Sequence, residues 1–128
     1  MRMRLALGTV LALSFIAAAL PLHNAQAASV AAGKRVFRQR CAICHSDEKG
    51  ENKIGPSLFG VVGRKAGTEA GYSYSAANEK SGLTWDEATL DRYLQNPRKV
   101  VPGTKMSFPG MPNATQRADV IAFLATLH

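Results

Sequence analysis

The chain has 128 residues, with 16 Lys+Arg against 9 Asp+Glu and a formal charge of +7. That length suits one compact domain. Such a positive balance fits nucleic acid, an anionic membrane or acidic protein patches, and reading the N-terminus as an export signal argues against the first of these.

Arg2 and Arg4 form a short positive region, Leu5 to Leu20 is an apolar run, Pro21 breaks it, and Ala25-Gln26-Ala27 supplies a small-x-small cleavage pattern. The arginines are not adjacent, which argues against a twin-arginine signal. The expectation is a secretory signal peptide of residues 1–27, cleaved to leave a soluble domain of residues 28–128 in the periplasm, with no stable membrane insertion. An uncleaved anchor is the rival, since Leu5 to Leu22 nearly reaches the length of a bilayer span. The Ala-Gln-Ala exit and the polar His23-Asn24 pair fit processing better. Loss of Arg2 and Arg4 brings the charge to +5.

From Ser29 to Cys41 the spacing predicts a helix: Ser29 is a suitable N-cap, and Val30, Gly33, Phe37 and Cys41 recur on one face. A glycine inside a helix costs about 1 kcal/mol against alanine, so Gly33 implies that another backbone crosses closely there. The partner is the C-terminal segment, capped by Asn113 or Thr115, whose Val120, Ile121, Leu124 and Leu127 form a helical stripe. A crossing of Gly33 and Phe37 against Phe123 is therefore expected.

Cys41-Ala42-Ile43-Cys44-His45 follows at once. Two thiols about one helical turn apart, roughly 5.4 Å, can each add across one vinyl group of a haem, and the adjacent imidazole can bind its iron as proximal ligand. Other readings of a Cys-x-x-Cys pair fare worse. A dithiol redox centre expects a βαβ setting. A zinc site needs further ligands, and the only other histidines are His23 in the leader and His128 at the end. A disulfide across so small a loop stabilises little. One covalently bound haem c, held through Cys41 and Cys44, is the expected cofactor.

Ser46 to Lys53 reads as a polar loop, and Gly55-Pro56 follows it. The Pro56 carbonyl can accept the second ring proton of a ligating histidine. Leu58, Phe59, Val61 and Val62 are candidate cavity walls, with Arg64 beside them either paired to a haem propionate or solvated. Gly71 to Ser75 is turn-like, and Ser75 to Lys80 suits a short helix ended by Gly82. Thr84-Trp85-Asp86-Glu87 reads as a capping box, with Thr84 as cap and Glu87 reaching back to it. The helix that follows must end by Asn96, because Pro97 comes next. Trp85, the only tryptophan, is expected against the porphyrin edge. Beyond Pro97 periodicity is lost, and an irregular loop is expected that holds Met106 and Met111, each a possible thioether ligand.

These features together resemble class I cytochromes c, in particular the soluble mitochondrial and related bacterial branch. The likeness runs from about Gly33 to Leu124. It is carried by Gly-Lys-Arg-Val-Phe, Cys-Ala-Ile-Cys-His, Gly-Pro-Ser-Leu-Phe-Gly-Val-Val-Gly-Arg, Gly-Tyr-Ser-Tyr-Ser-Ala-Ala-Asn, Leu-Thr-Trp, Tyr-Leu-Gln-Asn-Pro and Pro-Gly-Thr-Lys-Met. The resemblance implies an all-α fold of three to five helices wrapped around one covalently bound haem, with N- and C-terminal helices crossing. It makes Cys41 and Cys44 the thioether anchors, His45 the proximal iron ligand and Met106, rather than Met111, the distal one. Pro56 matches the proline that accepts from the histidine. Arg64, Tyr74 and Trp85 match groups near the propionates, and Tyr93, Asn78 and Thr104 match a polar network beside the methionine sulfur. The polar loop after His45 is a residue shorter than in the mitochondrial pattern, and Arg40 and Arg98 stand where family lysines are expected.

The function so implied is that of a monomeric one-electron carrier and not an enzyme. Its donor would be a quinol-oxidising cytochrome complex. Its acceptor would be a terminal oxidase or other reductase, met at a haem edge ringed by Arg40, Lys53, Lys99 and Lys105. The competing class is a haem peroxidase or gas-binding sensor with a displaceable distal ligand, but no distal acid-base histidine is available to it.

Overall fold

The computed structural model describes residues 27–128; the leader, with Arg2, Arg4 and the apolar run, lies outside the described residues. Those residues are all-α: α1 is Val30–Arg40, α2 Ala76–Lys80, α3 Glu87–Gln95, α4 Pro97–Val100 and α5 Ala114–Leu124. Among them there is no strand, only an isolated antiparallel bridge between Lys65 and Thr84.

Each helix starts where a short polar side chain accepts a backbone N–H that the first turn leaves unpaired. Ser29 accepts from Ala32, Ser75 from Asn78, Asp86 from Thr89, Asn96 from Lys99 and Asn113 from Gln116. Two of these differ from the sequence expectation. The cap of α3 is Asp86 and not Thr84, because Thr84 is committed to the bridge with Lys65, and Trp85 N–H donates to the Arg64 carbonyl at 2.9 Å. The stretch after Pro97, expected to be irregular, begins with the single turn of α4, for which proline at the first position supplies a preset φ and lacks only a donor that would be idle.

The terminal helices cross as expected. A Cβ added to Gly33 would lie 1.8 Å from the Asp119 carbonyl oxygen, so only glycine lets the two backbones meet. Phe37 and Phe123 pack beside it with ring centroids 5.4 Å apart. The buried face of α1 is Gly33, Val36 and Phe37; Val30, placed on that face by its spacing, is exposed at the helix entry. Two polar anchors that spacing does not reveal fasten α5 to its neighbours. Asp119, buried in α5, accepts the Ser29 N–H at 2.7 Å. Buried Arg117 donates to Asp91 Oδ1 at 2.7 Å and to the carbonyls of Met111 and Pro112 at 2.8 and 2.9 Å. It thereby ties α5 to α3 and to the segment that carries both methionines.

Candidate haem site

The Phe37 carbonyl near the end of α1 directs the motif. Cys41 and Ala42 N–H both donate to Phe37 O, and Cys44 and His45 N–H both donate to Cys41 O, so the pentapeptide coils in one further turn. That turn brings Cys41, Cys44 and His45 to the wall of one cavity of about 560 Å³. Both thiols are free, and burial pushes the Cys41 thiol up to about 11, against the lowering effect of Arg40.

The imidazole of His45 is held from two sides. Its Nδ1 lies 2.7 Å from the Pro56 carbonyl oxygen. A carbonyl only accepts, so Nδ1 carries the proton and, in the neutral ring, Nε2 keeps its lone pair. Burial favours that neutral form: it lowers the pKa of His45, outweighing the rise due to Pro56, and Lys53 and Arg64 act in the same direction as burial. Gly55 supports the other side. A Cβ there would lie 2.3 Å from His45 Cε1, so the bare glycine backbone presses against the ring. Gly55 is a site residue that motif reading missed, although a glycine directly before the accepting proline was its available signal.

The remaining residues singled out from the sequence, Pro56, Arg64, Tyr74, Asn78, Trp85, Tyr93, Thr104 and Met106, all line the same cavity. Arg64 is neither solvated nor free: it donates to Ser57 O at 2.9 Å, Phe59 O at 3.2 Å and Glu69 Oε2 at 2.5 Å. Trp85 is buried, with its ring 4.7 Å from that of Tyr93. The hydroxyls of Tyr93 and Thr104 lie 3.2 Å apart, and Tyr93 points its hydroxyl at Met106 Sδ from 4.0 Å. Met111 takes no part in the wall; it is fully buried elsewhere, its N–H donating to Leu94 O. Of the expected apolar walls, Leu58 and Val61 line the cavity and Phe59 and Val62 do not. Leu90, Leu94, Phe108, Val120 and Leu124 complete it, contributed by α3, α5 and the methionine segment. Arg40 and Lys105 also line the cavity, whereas Lys99 sits apart with Arg92, Gln95 and Asn96.

The donor set fits haem c. Two free thiols and an imidazole nitrogen without a protein partner face a cavity whose walls are mostly aliphatic and aromatic. Asn78 Oδ1 is buried beside it with no hydrogen-bond partner, an acceptor left for a bound group or an ordered water. Among the described residues, no group of three or more His, Cys, Asp or Glu is placed to hold a bare metal ion.

Comparison with known proteins agrees with this chemistry. Residues 30–128 match the cytochrome c family. The chain is 56% identical over 95 residues to cytochrome c2 of Rhodopila globiformis, covering 74% of this chain and 90% of that one. It is 58% identical over 97 residues to cytochrome c2 of Rhodomicrobium vannielii, covering 75% and 77% respectively. The solved structure of cytochrome cH from Methylobacterium extorquens superposes with a TM-score of 0.72 at 50% identity, covering 77% of this chain and 98% of that one. The chain thus belongs to the class I cytochromes c, with one haem c bound covalently through Cys41 and Cys44.

Proposed function

We propose that the chain is an exported, monomeric one-electron carrier in which His45 Nε2 and Met106 Sδ are the two axial ligands of the haem iron. The observation that carries this reading is the cavity wall: it includes His45, with Nδ1 already committed to Pro56, and Met106, but not Met111. Bound haem c supplies a ferric/ferrous couple. Held by both His45 and Met106, the haem would supply electron transfer and would offer no iron position to a substrate, which separates a carrier from a peroxidase or gas sensor. A thioether ligand and the apolar walls both favour the ferrous state. Tyr93 and Thr104 orient the sulfur from the protein side.

Docking fits the rim of the same cavity. Ile43 and Ile54 line it and are 77% and 76% exposed, beside Arg40 and Lys105, while Lys53 donates to the Ala42 carbonyl within the haem-binding turn. Apolar contact ringed by positive charge suits brief encounters with acidic faces of redox proteins, because charge speeds association without making the complex long-lived. A quinol-oxidising cytochrome complex as donor, and a terminal oxidase or other reductase as acceptor, meet that description. The N-terminal stretch read as an export signal supports exchange in the periplasm. No helix among the described residues is long and apolar enough to cross a membrane.

The ligand assignment is tested by Met106→Ala and Met111→Ala in matured protein, following the red-end methionine-to-iron absorption band. The band is expected to vanish only in Met106→Ala; loss only in Met111→Ala overturns the assignment. Carbon monoxide should bind the reduced parent protein slowly and weakly at neutral pH, and rapid tight binding would overturn the carrier reading.

A further inference from the structure

Arg64 reaches the cavity already spoken for. Its backbone is pinned by the bridge between Lys65 and Thr84, where Trp85 N–H donates to Arg64 O. Three of the five guanidinium N–H groups go to Ser57 O, Phe59 O and Glu69 Oε2, which leaves two for a ligand. The Glu69 partner is charged and close: Nη1 to Oε2 is 2.5 Å, and the two side chains are only 14% and 15% exposed. Glu69 itself does not line the cavity.

The turn that delivers Glu69 is built for the purpose. Thr68 Oγ1 donates to Lys65 O, and Gly67 turns the chain with φ +78. At Gly67 an added Cβ would meet the backbone of Glu79 at 3.0 Å, so the loop is wedged against α2. Glu69 N–H then donates to the Tyr74 hydroxyl at 3.1 Å, and Tyr74 shares the cavity wall with Arg64.

We propose that Glu69 is a positioning residue for the haem site: its carboxylate pairs with Arg64 from outside the cavity, fixing the guanidinium and offsetting the positive field it presents to the haem. The inference rests on the one-electron-carrier reading above. The oxidised centre carries one positive charge more than the reduced one, so a nearby carboxylate favours oxidation and a nearby guanidinium favours reduction. A pair screened by little water acts over longer range than an exposed one. Glu69 therefore lowers the midpoint potential relative to a site with Arg64 alone.

The test is equilibrium redox titration of the full, haem-loaded chain against a reference couple, with Glu69→Gln, Glu69→Asp and Arg64→Gln. Glu69→Gln keeps the shape and removes the charge; it is expected to shift the exchange equilibrium toward the reduced protein by about threefold or more. Glu69→Asp retains the charge and should stay near the parent. Arg64→Gln should move the equilibrium toward the oxidised protein. A second measurement needs no redox change: guanidinium protons of Arg64, followed by NMR, should exchange faster with water in Glu69→Gln. An unshifted or downward potential in Glu69→Gln overturns the proposal alone, as does a shift that Glu69→Asp reproduces in full. Absence of any reversible one-electron couple in the parent protein overturns the carrier reading and this proposal with it.

Discussion

At the scale of single residues, the site depends on side chains that are absent as much as on those present. Gly55 leaves room for the His45 ring, and any Cβ there would enter it at 2.3 Å. Gly55→Ala should therefore rotate the imidazole away from Pro56, weaken its axial bond and lower stability by about 1–3 kcal/mol, the usual cost of forcing atoms into a packed site. Denaturant unfolding together with the haem absorption spectrum checks this; an unchanged spectrum would show that the ring tolerates the methyl. Asp86 gives a second case at a helix entry. The Thr89 N–H, aided by its hydroxyl, holds the Asp86 carboxyl below the usual carboxylate range. The ionised form is therefore the one that folding favours. Its contribution is complete above the unfolded value, about 3.9, and is lost as pH falls through the lower folded value. Asn caps a helix as well as Asp but does not titrate. Thermal midpoints measured from pH 2 to 6 should thus fall less steeply on acidification in Asp86→Asn than in the parent. Equal slopes would mean that the cap carries no acid sensitivity.

At the scale of elements, the parts legible in the sequence were those coded locally or by strict spacing. Gly33 and Phe37, four apart, announced the crossing with α5, and Cys41, Cys44 and His45 announced the haem-binding turn. What stayed hidden was tertiary. Thr84 and Asp86 are both good caps in isolation, and only the bridge to Lys65 decides between them. Phe59 and Val62 look like cavity walls as readily as Leu58 and Val61, because nothing local says which side of a loop faces inward. Nothing in the spacing singles out Arg117, yet it is buried and clasps the carbonyls of Met111 and Pro112. Its role makes a prediction about the whole methionine segment. Arg117→Ala leaves two carbonyls without their charged donor and should cost about 3 kcal/mol. The loss should appear first at Met106: the red-end absorption band should fade at a lower denaturant concentration than helix unfolding does. Arg117→Lys should not rescue it, since one ammonium cannot reproduce the guanidinium fork. Coincident loss of the band and of helicity would instead make Arg117 a general core contact.

At the scale of the whole molecule, the cavity dominates the energetics of the fold. α1 and α3 each pack against α5, and the cavity wall is completed by loops with little helix of their own. A dry void costs about 24 cal/mol per Å³, so about 560 Å³ left unfilled would cost up to about 13 kcal/mol. That ceiling, reached only if water stays out of the mouth, rivals the whole stability of a small domain, about 5–15 kcal/mol. Water entering instead would wet the half-buried apolar walls Leu58, Leu94 and Phe108. Either way the unfilled arrangement is costly, and haem attachment through Cys41 and Cys44 is expected to be part of folding. The variant Cys41→Ala/Cys44→Ala, prepared without haem, should accordingly show weak far-UV helicity and a broad, non-cooperative thermal trace, while the parent melts in one sharp step. Full helicity with a cooperative transition in the haem-free variant would mean that the helix crossing at Gly33, fastened by Asp119, together with the Arg117 tie to α3, is strong enough to hold the cavity open on its own.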